Sequence, residues 1–163
     1  MGLAEASPII QSYKIVEEFG EMIQAHVKQN TQALKEEIGD VLVTIAVNSL
    51  QMNVEDIDYN STTHLKVSFA NGLGSLALMV MHAESYVESA QHDDVDYKLT
   101  LRNIRDNYKT SAQGVIELLH QTAAAEGWTL EECLYVAYDK IKDRPAKMVN
   151  GTLIKDKDLK EIN

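Results

Sequence analysis

The sequence predicts an all-α fold, an antiparallel bundle of about five helices, and three observations carry that expectation. Only 2 of its 163 residues are proline, so little in the chain breaks a helix. No stretch sustains the apolar–polar alternation of a half-buried strand. Apolar residues instead recur at spacings of four and three through most of the chain, which is the period of a helix with one buried face. The length suits a single domain, residues 1–163, with a core of its own.

The elements follow in order. Ser7 before Pro8 marks a helix start, with serine as N-cap and proline at the first helical position. This first helix is expected to run from about Pro8 to Gln29. Asn30 and Thr31 make the turn, and a second helix continues to about Met52. So short a connection implies antiparallel neighbours. Residues 53–61 read as a polar loop with room for one helical turn. A third helix is expected over Thr62 to Ser89, its stripe formed by Phe69, Leu73, Leu76, Val80, Ala83 and Val87. Gly72 and Gly74 interrupt it at a cost of about 1 kcal/mol each relative to alanine, so close packing or a kink is expected there. His92-Asp93-Asp94 forms the next turn. A fourth helix, Tyr97 to Ala125, carries Leu101, Ile104, Tyr108, Val115, Leu118 and Thr122 on one face. Thr129 with Glu132 makes a capping box for a last helix ending near Asp143, before Pro145. Asn150-Gly151, between Met148-Val149 and Thr152-Leu153-Ile154, is a cue for a short C-terminal β-hairpin.

One pattern is written twice. Residues 17–23 read Glu-Glu-Phe-Gly-Glu-Met-Ile, and residues 36–42 read Glu-Glu-Ile-Gly-Asp-Val-Leu. On helices, Ile15, Phe19 and Met22 form one apolar stripe, and Leu34, Ile38 and Val41 form its equivalent. Glu18 and Glu37 fall at the stripe edges, with Glu21 and Asp40 one turn on. Glu17 and Glu36 project roughly opposite the stripes and read as solvated. Antiparallel packing brings the four carboxyl groups Glu18, Glu21, Glu37 and Asp40 to one seam near mid-helix. Like charges in a partly buried site either neutralise or bind a cation, so the pattern points to a divalent-metal site.

These residues resemble the signature of the MazG-like nucleoside triphosphate pyrophosphohydrolases, all-α relatives of the dimeric dUTPases. A second block, from Ala137-Tyr138-Asp139-Lys140 through Arg144 to Lys147-Met148-Val149-Asn150-Gly151, is similar to the C-terminal helix and tail of one-domain members. The resemblance covers roughly residues 12–53 and 126–158. Short members pass almost directly from the second helix to the Lys-x-x-x-Arg helix, so the segment at about 55–125 reads as a helical-hairpin insertion. The resemblance implies a Mg²⁺-dependent hydrolase (Mn²⁺ substituting) that cleaves a nucleoside triphosphate to the monophosphate and pyrophosphate. Glu18, Glu21, Glu37 and Asp40 would hold the metal and serve catalysis. Lys140, Arg144, Lys147 and Asn150 would bind the substrate. Water would attack the α-phosphate in line, one glutamate taking its proton. The role implied is nucleotide-pool house-cleaning.

Composition bounds the partners. A net charge of −10 argues against an electrostatic nucleic-acid or anionic-membrane binder. It would also repel a triphosphate, unless cations held by the carboxylates reverse the local sign. No apolar run is long enough to span a bilayer, and the single Cys133 suits a reducing cytoplasm. A homo-oligomer is expected from so long an apolar bundle. Two other readings stand beside the enzyme. One is a non-catalytic helical interaction module. The other is a di-iron carboxylate bundle, which requires two Glu-x-x-His motifs where this chain offers only Glu117-x-x-His120. The five histidines show no paired ligand spacing.

Overall fold

Capping chemistry sets most of the helix ends. In the computed structural model, which describes residues 7–60, 67–91, 95–142, 146–149 and 152–155, five helices precede a two-stranded hairpin. They are α1 (Pro8–Val27), α2 (Thr31–Gln51), α3 (Phe69–Ser89), α4 (Val95–Ala125) and α5 (Leu130–Ile141), followed by β1 (Ala146–Val149) and β2 (Thr152–Lys155). The Asn30 side chain accepts the Ala33 N–H at the start of α2, and Ser68 does the same for Asn71 at α3. The capping box on α5 is complete: Thr129 N–H donates to Glu132 Oε2 at 2.8 Å and Glu132 N–H to Thr129 Oγ1 at 3.1 Å.

Three helices end the same way. Gln29, Asn53 and Gly127 take positive φ, and the next residue's N–H reaches back to the carbonyls of Ala25, Ser49 and Ala123 respectively. This is the Schellman arrangement, in which a left-handed residue turns the chain and satisfies the last carbonyls. It stops α1 at Val27 and α2 at Gln51, slightly short of the expected ends.

The chain forms two antiparallel helical hairpins and a crossing helix. Asn48 Nδ2 at the end of α2 donates to Pro8 O at the start of α1 (2.8 Å), which places α1 and α2 antiparallel. Tyr108 from α4 donates to Asn48 Oδ1 at 2.7 Å, tying the second hairpin to the first through a buried polar contact. In that second hairpin, Arg105 of α4 lies over the Tyr86 ring of α3. α3 also runs along α1, with Tyr13 donating to Glu84 at 3.0 Å and the His26 and Phe69 rings 5.5 Å apart. α5 packs on α2. The shared core is filled by Ile15, Phe19 and Met22, Ile38, Val41 and Ile45, Met79, Tyr108, Val115, Ile116 and Leu119. No described helix is long and apolar enough to cross a membrane.

Several expectations change. α3 begins at Phe69 rather than Thr62: Ser68 caps it, Val67 is not helical, and residues 62–66 lie outside the described set. Residues 53–60 hold no helical turn; Asn53 and Asp56 take left-handed φ there, which a right-handed helix excludes. The buried stripe of α3 passes through Gly72, Leu76, Met79 and Ala83, while Leu73 is 48 % exposed. The cause is steric. A Cβ on Gly72 would sit 2.3 Å from a Leu118 methyl, whereas nothing lies within 4 Å of one on Gly74. Gly72 therefore permits α3 and α4 to approach closely, and Gly74 faces open space. The strands pair antiparallel, Ala146 with Lys155 through Val149 with Thr152, as the hairpin cue anticipates. The turns at His92-Asp93-Asp94 and Asn150-Gly151, the stop at Asp143 and Pro145, and His64 all lie outside the described residues.

Candidate metal centre

Burial of the apolar stripes decides where the acids point. With Ile15, Phe19 and Met22 in the core of α1, and Ile38 and Val41 in that of α2, Glu18 and Glu21 share a flank with Glu37 across the antiparallel seam. One oxygen from each of Glu18, Glu21 and Glu37 lies within 4.8 Å of the others. Glu18 is buried, Glu37 half-buried and Glu21 exposed, so the group opens to solvent at one side. Glu37 Oε2 is buried and has no hydrogen-bond partner. A carboxylate oxygen in that position, beside two more carboxyl groups, calls for a proton or a cation. The Glu37 carboxyl responds accordingly. Its pKa is pushed up to about 7, first by burial and then by Glu21, Asp40 and Glu18, with Lys140 opposing. An all-oxygen, anionic set of this kind fits a hard divalent ion such as Mg²⁺.

Two lysines flank the acids. Lys140 of α5 donates to Glu36 Oε2 at 3.2 Å and to Asp40 Oδ2 at 3.5 Å. Burial works against its charge, but Asp40 and Glu36 outweigh that, and its pKa stands above the usual lysine value. On α1, Lys14 pairs with Glu17 and lies 4.0 Å from Glu18 Oε1.

Of the residues singled out by sequence, Glu18, Glu21 and Glu37 converge, and Asp40 stands next to them but engages Lys140. Lys147 lies on β1, while Arg144 and Asn150 fall outside the described residues. Glu36 is not the solvated acid its position suggests. The side of α2 away from the core stripe is where α5 crosses, and Glu36 meets Lys140 there. Lys14 joins the site without being singled out by the cassette pattern, although its spacing to Glu18 is the ordinary i,i+4 signal of a helix ion pair. The di-iron arrangement finds no support among the described residues: His120 Nε2 lies 3.0 Å from Tyr59 O, and the one group of three clustered ligating side chains is Glu18, Glu21 and Glu37.

The raised Glu37 pKa has a consequence for stability. The folded value, about 7, exceeds the ordinary value of 4.5, so folding takes up a proton between them. The stabilisation is fully present below the unfolded pKa and is lost as pH rises through the folded one. Because the group is partly exposed, solvent screening reduces the effect to about 1 kcal/mol. Metal-free protein is expected to lose about 2–4 °C of melting temperature from pH 4.5 to 7.5 through this group, and Glu37→Gln should remove that part of the slope. Added Mg²⁺ or Mn²⁺ should raise the wild-type melting temperature more at pH 7.5 than at pH 5. Thermal melts across this range check both signs.

The helix pair that carries these acids also carries a family signature. Residues 10–64 match the family model described as the MazG nucleotide pyrophosphohydrolase domain. No curated protein and no solved structure matches the chain. The matched segment contains both acidic cassettes, and over that segment the chain is similar to MazG-like proteins.

Proposed function

We propose that the chain is a Mg²⁺-dependent nucleoside triphosphate pyrophosphohydrolase, releasing a nucleoside monophosphate and pyrophosphate. The observation that carries this reading is the Glu18–Glu21–Glu37 cluster, with its partnerless buried oxygen, at the centre of the MazG-matching helix pair. Glu18, Glu21 and Glu37, with Asp40 beside them, would hold the metal. When bound, magnesium supplies positive charge that neutralises the triphosphate and polarises the phosphorus under attack.

The chain's own residues do the rest. A carboxylate of the cluster accepts the proton of the attacking water. The water oxygen bonds to the α-phosphorus as the bond to the bridging oxygen breaks, and the electron pair leaves with pyrophosphate. Lys140 exchanges Asp40 and Glu36 for phosphate oxygens, adding charge where it develops in the transition state. Arg144, four residues on in the sequence, would add a planar fork suited to phosphate. Lys147 and Asn150 complete the substrate-binding set. A cytoplasmic location, self-association and a nucleotide-pool role belong to the same reading.

The test is a panel of NTPs and dNTPs incubated with and without Mg²⁺, products resolved by chromatography. Metal-dependent monophosphate plus pyrophosphate is the expected result. Diphosphate plus inorganic phosphate would place the attack elsewhere on the chain of phosphates. Absence of turnover across the panel would turn the reading towards a non-catalytic helical module.

A further inference from the structure

Each acidic cassette opens on two glutamates, Glu17-Glu18 and Glu36-Glu37, yet only the second of each pair belongs to the converging cluster. The outer two are engaged differently. Glu36 shares the Lys140 ammonium with Asp40, and Glu17 shares that of Lys14 with Glu18. Both cassettes thus pair one lysine with an outer and an inner acid. The lysines differ in origin. Lys140 arrives from α5, whereas Lys14 sits on α1, three residues before Glu17 and four before Glu18. Helix stability is a weak reason for it, since a lysine N-terminal to its glutamate is the less favourable order at that spacing. Nor is this an ordinary surface pair. The Lys14 side chain is 33 % exposed and that of Glu18 only 11 %, against 54 % for Glu17. Lys14 therefore stands between an exposed acid that holds it and a buried acid of the cluster, whose Oε1 is 4.0 Å from its ammonium.

We propose that Lys14 is a resident counter-ion of the acidic centre, exchanged for the divalent ion, and that Glu17 is the acceptor that keeps it when the ion binds. This inference rests on the metal-centre reading above. Three carboxyl groups in partly buried surroundings call for positive charge, and an ammonium beside Glu18 supplies part of it. A divalent ion held by Glu18 then meets that ammonium as a like charge, at a range where solvent screens only partly. The ammonium rides on a flexible four-carbon stem, and its second partner is the next residue of the same helix. Lys14 can therefore leave Glu18 without losing an ion pair. Glu17 eases the loading of the ion, and Lys14 limits how tightly the ion is held. The two set metal affinity without touching the metal, as positioning residues rather than catalytic ones.

Isothermal titration of the full chain with Mn²⁺, with no nucleotide present, tests the exchange. Lys14→Met keeps the stem and removes the charge, and should tighten Mn²⁺ binding about three- to fivefold, the worth of one partly exposed pair. Lys14→Arg keeps the charge and should stay within about twofold of wild type. Glu17→Gln should weaken binding about three- to fivefold on its own, but by less than about twofold in the Lys14→Met background, where there is no lysine left to hold. Thermal melts carry the opposite sign. Lys14→Met should melt below wild type in chelator, and saturating Mn²⁺ should close that gap. A Lys14→Met protein that binds Mn²⁺ no more tightly than wild type overturns the proposal. So does a Glu17→Gln effect of equal size in both backgrounds. Either result leaves the metal centre standing, whereas a wild-type chain that takes up no Mn²⁺ removes both.

Discussion

Glu37→Gln is expected to lower kcat/KM for the best substrate of the nucleotide panel by about 10²–10⁴-fold, the range over which a proton-transfer or charge-positioning group acts. The same change should leave the metal-free protein at neutral pH as stable as wild type or up to about 1 kcal/mol more so. The opposite signs follow from one geometry. Glu37 Oε2 is buried without a hydrogen-bond partner, and Glu21, Asp40 and Glu18 all oppose its ionisation. Such a carboxylate costs the empty fold and is useful only when something positive or a transferable proton meets it. Glutamine keeps the shape and removes the charge. The check pairs steady-state kinetics with thermal melts in chelator and in Mg²⁺. Loss of activity accompanied by an equally large loss of stability would mean that Glu37 is a packing residue, and the metal-centre reading would fall.

Gly39→Ala should be the most destabilising small substitution in the matched helix pair. A Cβ there would lie 2.2 Å from Cys133 O and 2.7 Å from Ala137 Cβ. The nearest obstacle is backbone, which cannot swing aside as a side chain does, so α5 must move off α2. Overpacking of this kind costs about 1–3 kcal/mol, or a fall of roughly 3–10 °C in melting temperature for a chain of this size. The displacement also draws Lys140 away from Glu36 and Asp40, so substrate turnover should fall with it. Gly20→Ala, the matching position of the first cassette, meets nothing within 4 Å and should leave the isolated chain unharmed. Differential scanning calorimetry of the two variants settles the contrast: equal melting temperatures would remove the close approach of α5 to Gly39.

The elements legible in the sequence are those whose causes are local. Helical periodicity announces α1, α2 and α4 with most of their buried faces, and the Thr129–Glu132 box announces the start of α5. The duplicated cassettes announce Glu18, Glu21, Glu37 and Asp40 as candidates, because a helix fixes which residues share a flank. Where local rules compete, the reading slips. Leu73 looks like core by spacing, yet it is Gly72 that faces α4, where a Cβ would lie 2.3 Å from a Leu118 methyl, and the buried stripe runs through Gly72 instead.

What the sequence by itself determined is therefore the helical content, the antiparallel pairing of the two acidic helices and the similarity of that segment to the MazG family model. Only the tertiary structure decided how those acids divide: Glu18, Glu21 and Glu37 to one cluster, Asp40 and Glu36 to Lys140. It also decided that two glycines at matching places in the cassettes differ, Gly39 pressed against α5 and Gly20 open. The physical reason is distance along the chain. Lys140 meets Glu36 across 104 residues, and no periodicity within either helix encodes where α5 will cross α2.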